Sequence, residues 1–252
     1  MSWGRSSCSR LSVSLSLAEL TERKQGKIVL TFFRKGPTGL EHLVSKAIGM
    51  LGDSRHSFDL ATLALLTKTE AGAVDNDIRE TDLRISLAEQ ELRSELIVHI
   101  TVQGPTDIGS VFGLVLLSNK IERIGAQTRN VLDLAEAKVS LANQPDTEEL
   151  LGERSVISAL FGEVIELMAE HDDDALEDLN RRCEKLQAEQ QKRIDSYLHS
   201  SEPGTVVVPR AIYQRYLKRV VANLVGIAHA ASEPMPATDT LTEDSAGSDA
   251  GG

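Results

Sequence analysis

"KIERIGAQTRNVLDLA", residues Lys120 to Ala135, carries a glycine in the middle of a helical pattern. Ile121, Ile124, Thr128 and Val131 recur at spacings of three and four, which puts them on one face of a helix. Gly125 beside them costs that helix about 1 kcal/mol relative to Ala. Close approach by another helix, or by a ligand, is the usual offset. The first makes the segment part of a structural bundle; the second makes it a binding site.

The same period recurs on both sides. Pro37-Thr38-Gly39-Leu40-Glu41 reads as a helix start, with Thr38 and Glu41 spaced as a capping box. A first helical region runs from there to about Lys68, with a break expected near Gly52-Asp53-Ser54. A second spans about Asp75 to Val102, and a third, capped by Thr106 or Asp107, continues to about Leu141. After the break at Asn143-Gln144-Pro145-Asp146, a fourth covers about Glu148 to His171 and a fifth about Asp174 to Leu198. Asp172-Asp173-Asp174 suits a helix N-terminus, where acids complement the helix dipole. Pro209 fits the first turn of a sixth helix ending near Ala231. Long helices with short breaks pack antiparallel, so the fold class is all-α, an up-down helical bundle. Residues 1–36 read as a disordered tail or an over-called start, rather than a signal peptide, because the apolar run is diluted by Ser. Residues 232–252, rich in Pro, Gly, Ser, Thr and acid, read as a disordered tail.

Composition agrees with helices. Aromatic residues make up only 4% of the 252, while Leu, Ala, Glu and Arg are abundant. A net charge of -11 argues against nucleic acid and anionic lipid as partners, and suits basic protein surfaces instead. The two cysteines, Cys8 and Cys183, make no disulfide framework, so a reducing cytoplasm is expected.

Shifting the sequence by 96 residues places Ile121 on Leu217, Ile124 on Val220, Thr128 on Leu224, Val131 on Ile227 and Arg123 on Arg219. The last helix of each triplet is thereby superposed, which points to a duplicated three-helix unit, residues 37–143 and 144–231.

Asp107 to Leu134, "DIGSVFGLVLLSNKIERIGAQTRNVLDL", resembles the third helix of a PhoU repeat. That family's pattern runs D-L-R, an apolar stretch, then L/I-E-R-I-G/A-D-x-x-x-N. Asp107 lies fifteen residues before Glu122, and "IERIG" and Asn130 match directly. "DNDIRETDLRIS", Asp75 to Ser86, resembles the second helix, and "YLKRVVANLVGIAHA" is a fainter copy of the second repeat's last helix. The resemblance spans about Gly39 to Ala231. It implies two tandem three-helix PhoU-like repeats in a dimeric, cytoplasmic, non-enzymatic regulator of phosphate uptake. Such proteins link a phosphate ABC-transporter ATPase to a sensor histidine kinase and restrain phosphate-starvation signalling. Gly125 then marks close helix approach beside a carboxylate-rich face.

The resemblance also implies metal clusters, held by acidic pairs four residues apart on the second and third helices of each repeat. Carboxylates at i and i+4 project from one face and suit hard or borderline cations. The pairs here are Asp82 with Ser86, Glu122 with Ala126, Cys183 with Gln187, and Lys218 with Ala222. Each second carboxylate is missing, and Lys218 brings a positive charge instead. Asp82 and Glu122 remain as weak candidates for a single ion; the preferred reading makes them solvated helix-surface acids, so no cofactor is expected. The face around Asp82, Glu122 and Arg129 keeps charge where the second repeat has lost it, and is the candidate partner contact.

Other chemistry is thin. The six histidines form no H-E-x-x-H or Glu-x-x-His arrangement, and no phosphate-binding glycine loop or nucleophile setting is present. Competing readings are an accessory protein of another phosphate or ion transporter, a metal-binding helical bundle, and a helical adaptor unrelated to phosphate.

Overall fold

A computed structural model describes residues 40–67, 69–104, 107–170 and 172–232. Among them are six helices and no strand: α1 (Leu40–Leu66), α2 (Ala71–Gln103), α3 (Ile108–Glu136), α4 (Thr147–Ala169), α5 (Asp173–Leu198) and α6 (Gly204–Ser232). Thr38, Thr106 and the N-terminal tail lie outside the described residues, as does the C-terminal tail apart from Ser232, which ends α6.

The bundle closes on apolar stripes. In α3, Ile121, Ile124, Thr128 and Val131 are buried; in α6, so are Leu217, Val220, Leu224 and Ile227. The positions superposed by the 96-residue shift therefore do the same work in both helices. Each large aliphatic side chain so buried contributes about 1.5–3 kcal/mol. α1 packs on α2, α3 and α4, while α6 packs on α3, α4 and α5. The α3–α6 seam is antiparallel: a side chain on Gly113 would lie 3.2 Å from the Ala230 carbonyl, and Lys120 lies over Gly226.

Several boundaries differ from expectation, each for a local reason. α1 runs unbroken through Gly52-Asp53-Ser54. Ser54 Oγ donates back to the Met50 carbonyl at 3.0 Å, and Asp53 accepts from Arg84 on α2 at 3.0 Å, so both polar groups are satisfied within a continuous helix. α3 ends at Glu136 rather than near Leu141, because Lys138 turns into the left-handed region at φ 62°. The chain then docks on α1 through a 2.9 Å bond from Leu141 N–H to the Leu65 carbonyl. α6 begins at Gly204, so Pro209 stands inside the helix, past its first turn. The Pro203 carbonyl starts the helix by accepting from Val206 N–H at 2.8 Å. Asp172 caps α5, accepting from Ala175 N–H at 3.0 Å.

Candidate functional site

The α2–α3 pair carries the residues singled out by sequence. The two helices run antiparallel, with Arg79 facing Glu136, Asp82 facing Arg129, and Arg93 bonding Asn119 at 2.9 Å. Asp82 and Arg129 form an ion pair across the seam. Gly125 sits beneath it: a side-chain carbon there would meet Asp82 Oδ1 at 3.6 Å, an ordinary contact. The expected close helix–helix approach is therefore absent at Gly125; what it adjoins is the carboxylate of an ion pair. Close approach belongs to Gly113 instead, at the α3–α6 seam. Glu122 is exposed and stands apart from the Asp82–Arg129 pair.

Sequence reasoning missed the buried acids. Glu89 on α2 is 8% exposed and pairs with Arg93, which also reaches Asn119 on α3. Glu153 on α4 is likewise 8% exposed. Its carboxylate accepts from Gln190 at 2.8 Å on α5, Gln214 at 2.7 Å on α6, and Arg193 at 3.3 Å on α5. Three helices of the second triplet thus meet on one carboxylate, whose charge is compensated by Arg193. Both acids were findable, because each interrupts an apolar stripe: Ile85-Glu89-Leu92 in α2 and Leu150-Glu153-Ile157 in α4. His99 and Asp107 form a third buried polar contact, 2.9 Å long, where α2 hands over to α3. The Asp107 side chain is thereby drawn away from capping α3, the role for which sequence offered either Thr106 or Asp107.

The positions aligned with acidic pairs do not suit a hard cation. Asp82 is engaged by Arg129, and Ser86 and Ala126 bring no carboxylate. In the second triplet Lys218 donates to Gln191 at 2.7 Å. Cys183 is buried in α5, and desolvation pushes its thiol up to about 11, which keeps the proton on sulfur. Among the described residues, no three His, Cys, Asp or Glu side chains converge as a metal site.

Two surface grooves lie among the described residues. One of about 600 Å³ runs between the α3–α4 connection and the start of α6, lined by Lys138, Gln144, Thr205 and Arg210. Arg210 there is already committed to Asp146, at 2.8 and 3.1 Å. Burial alone would raise the Asp146 carboxyl, but the Arg210 guanidinium and, in smaller part, the Tyr197 hydroxyl hold it below the usual aspartate range. The other groove, about 270 Å³, is lined by His42, Glu95, Val98, His99 and Val102. Among the described residues no helix is long and apolar enough to cross a membrane.

Comparison with known proteins accords with this architecture. Residues 48–135 match the PhoU domain. No curated protein matches the sequence. Among solved structures, PhoU from Pseudomonas aeruginosa superposes with a TM-score of 0.63 at 19% identity, over 76% of this chain and 94% of that one. At that identity the likeness is one of fold.

Proposed function

Because the chain carries a PhoU domain over residues 48–135, in a helical bundle of PhoU fold, we propose that it is a non-enzymatic regulator of phosphate uptake and phosphate-starvation signalling. It acts by binding, in the cytoplasm and as a homodimer, to a phosphate ABC-transporter ATPase, a sensor histidine kinase, or both. The family match carries this reading. The chemistry of the bundle supports it: its buried carboxylates, Glu89 and Glu153, are engaged by donors from their own and neighbouring helices. The protein works without the metal clusters that the family implies, since Arg129 and Lys218 bring cations to those positions and Cys183 holds its proton.

The proposed contact is the α2–α3 face around Asp82, Glu122 and Arg129. Arg129 offsets the charge of Asp82, so the negative potential that this face offers a basic partner comes chiefly from Glu122. Electrostatic complementarity of this kind mainly raises the association rate, and it fades as the Debye length falls from about 10 Å at 0.1 M salt to about 3 Å at 1 M. The experiment is stopped-flow association with the purified transporter ATPase and with the kinase cytoplasmic domain. Asp82→Lys with Glu122→Lys should slow association several-fold at low salt and little at high salt. Its melting temperature should change little, because a half-exposed ion pair is worth about 0–1 kcal/mol. A wild-type rate for the double variant would move the contact elsewhere. Failure of both partners to bind the wild-type protein would leave only the fold.

A further inference from the structure

The charge of −11 is unevenly spread. α6 contains no Asp or Glu from Gly204 to Ser232, yet it carries Arg210, Arg215, Lys218 and Arg219. Arg210 is used by Asp146 and Lys218 by Gln191. On the neighbouring α3, Lys120 lies across Gly226 of α6, and Arg123 follows one turn later. The antiparallel register set by Gly113 against Ala230 brings Arg123 opposite the turn of α6 that carries Arg219. Arg123, Arg215 and Arg219 are exposed and Lys120 partly so. No ion pair reaches any of the four among the described residues.

Apolar side chains flank these cations at helical spacing. On α3, Phe112 (49% exposed) and Leu116 (42%) share a face with Arg123, at steps of four and seven residues. On α6, Val208 (51% exposed) and the partly buried Ile212 share a face with Arg219 at the same steps. Since the helices are antiparallel, the two stripes form one band, with cations at its centre and an apolar group at each end.

We infer that this α3–α6 band is a docking surface for an acidic amphipathic segment of another protein, with carboxylates at its middle and apolar residues at both ends. Charge complementarity selects that occupant. A second copy using the same band in a two-fold contact would set arginines against arginines. Nucleic acid and anionic membranes spread their charge well beyond the band and so also meet the acidic remainder of the chain, at net −11 overall, whereas a short acidic segment meets the cations of the band alone. Guanidiniums, by contrast, take carboxylates in bidentate pairs, and such pairs fix register as well as adding attraction. The surface is distinct from the acidic contact on the α2–α3 face and opposite to it in sign.

The test uses the full chain and a fluorescein-labelled amphipathic peptide of about five helical turns, with glutamates central and leucines at both ends. Anisotropy titration at low salt should show saturable binding that weakens as salt rises. Arg123→Glu with Arg219→Glu should weaken it at least about tenfold, whereas Lys185→Glu with Lys192→Glu, on the exposed face of α5, should leave it unchanged. Should the arginine reversal melt early, Arg123→Gln with Arg219→Gln carries the test, with at least a threefold loss expected. Three results would overturn the inference: no binding by the wild-type chain, equal loss in the α5 control, or equal binding of a peptide with lysines in place of the glutamates. The probe contains no phosphate-system component, so the outcome stands apart from the fate of the proposed regulatory role.

Discussion

Gly125 shows how one residue's reading changes when its neighbour is known. The nearest atom to the side chain it lacks is Asp82 Oδ1 at 3.6 Å, not the backbone of a crossing helix. A methyl group fits there, and Ala favours the helix by about 1 kcal/mol over Gly. Gly125→Ala should therefore leave stability unchanged or raise it by up to about 1 kcal/mol. Gly125→Leu must displace the Asp82–Arg129 pair and should cost about 1–3 kcal/mol. Urea unfolding of the two variants checks the pair of outcomes; a loss for Ala as large as for Leu would mean that backbone crowding governs the site after all. The contrast with Gly113 is informative, since its missing side chain would meet a carbonyl at 3.2 Å, and a carbonyl in a helix has little room to yield.

Between elements, the Asp146–Arg210 ion pair fastens the start of α4 to α6. The Asp146 carboxyl is held below its ordinary range, so its contribution is complete above the unfolded aspartate pKa and is lost as pH falls through the lower, folded value. Asp146→Asn should destabilise the protein by about 1.5–3 kcal/mol at pH 7, the range for hydrogen bonds to charged groups. That difference from wild type should shrink as pH falls below the aspartate range. Denaturant unfolding at neutral and acidic pH measures both, and a difference independent of pH would refute the linkage. Much of the element scale was legible in the sequence: Ile121, Ile124 and Val131, and their counterparts Leu217, Val220 and Ile227, announce the buried faces by spacing alone. Helix ends were less so. Whether Gly52-Asp53-Ser54 breaks a helix depends on Arg84, which is far along the chain. The partners of Glu153 are likewise set by how three helices register, and a single helix's periodicity carries no such information.

For the molecule as a whole, the question of metal is one of stoichiometry. Cations stand at Arg129 and Lys218, and Ser86, Ala126, Gln187 and Ala222 bring no carboxylate to the remaining positions. Protein purified without chelator should therefore carry far less than one iron or zinc per chain by elemental analysis; two or more per chain would overturn the assignment of those positions. The uneven charge has a parallel consequence: the proposed contact at Glu122 on the α2–α3 face and the proposed docking surface on the basic α3–α6 band would take partners of opposite charge. Cys183 adds a feature of another kind. The residue is 1% exposed and burial keeps the proton on its sulfur, so an alkylating reagent finds no thiolate while α5 stays seated on its neighbours. Modification then waits on the rare moments when α5 lifts away. The buried thiol is thus a native stopwatch for breathing of the second triplet, and any partner that clamps that triplet will slow it.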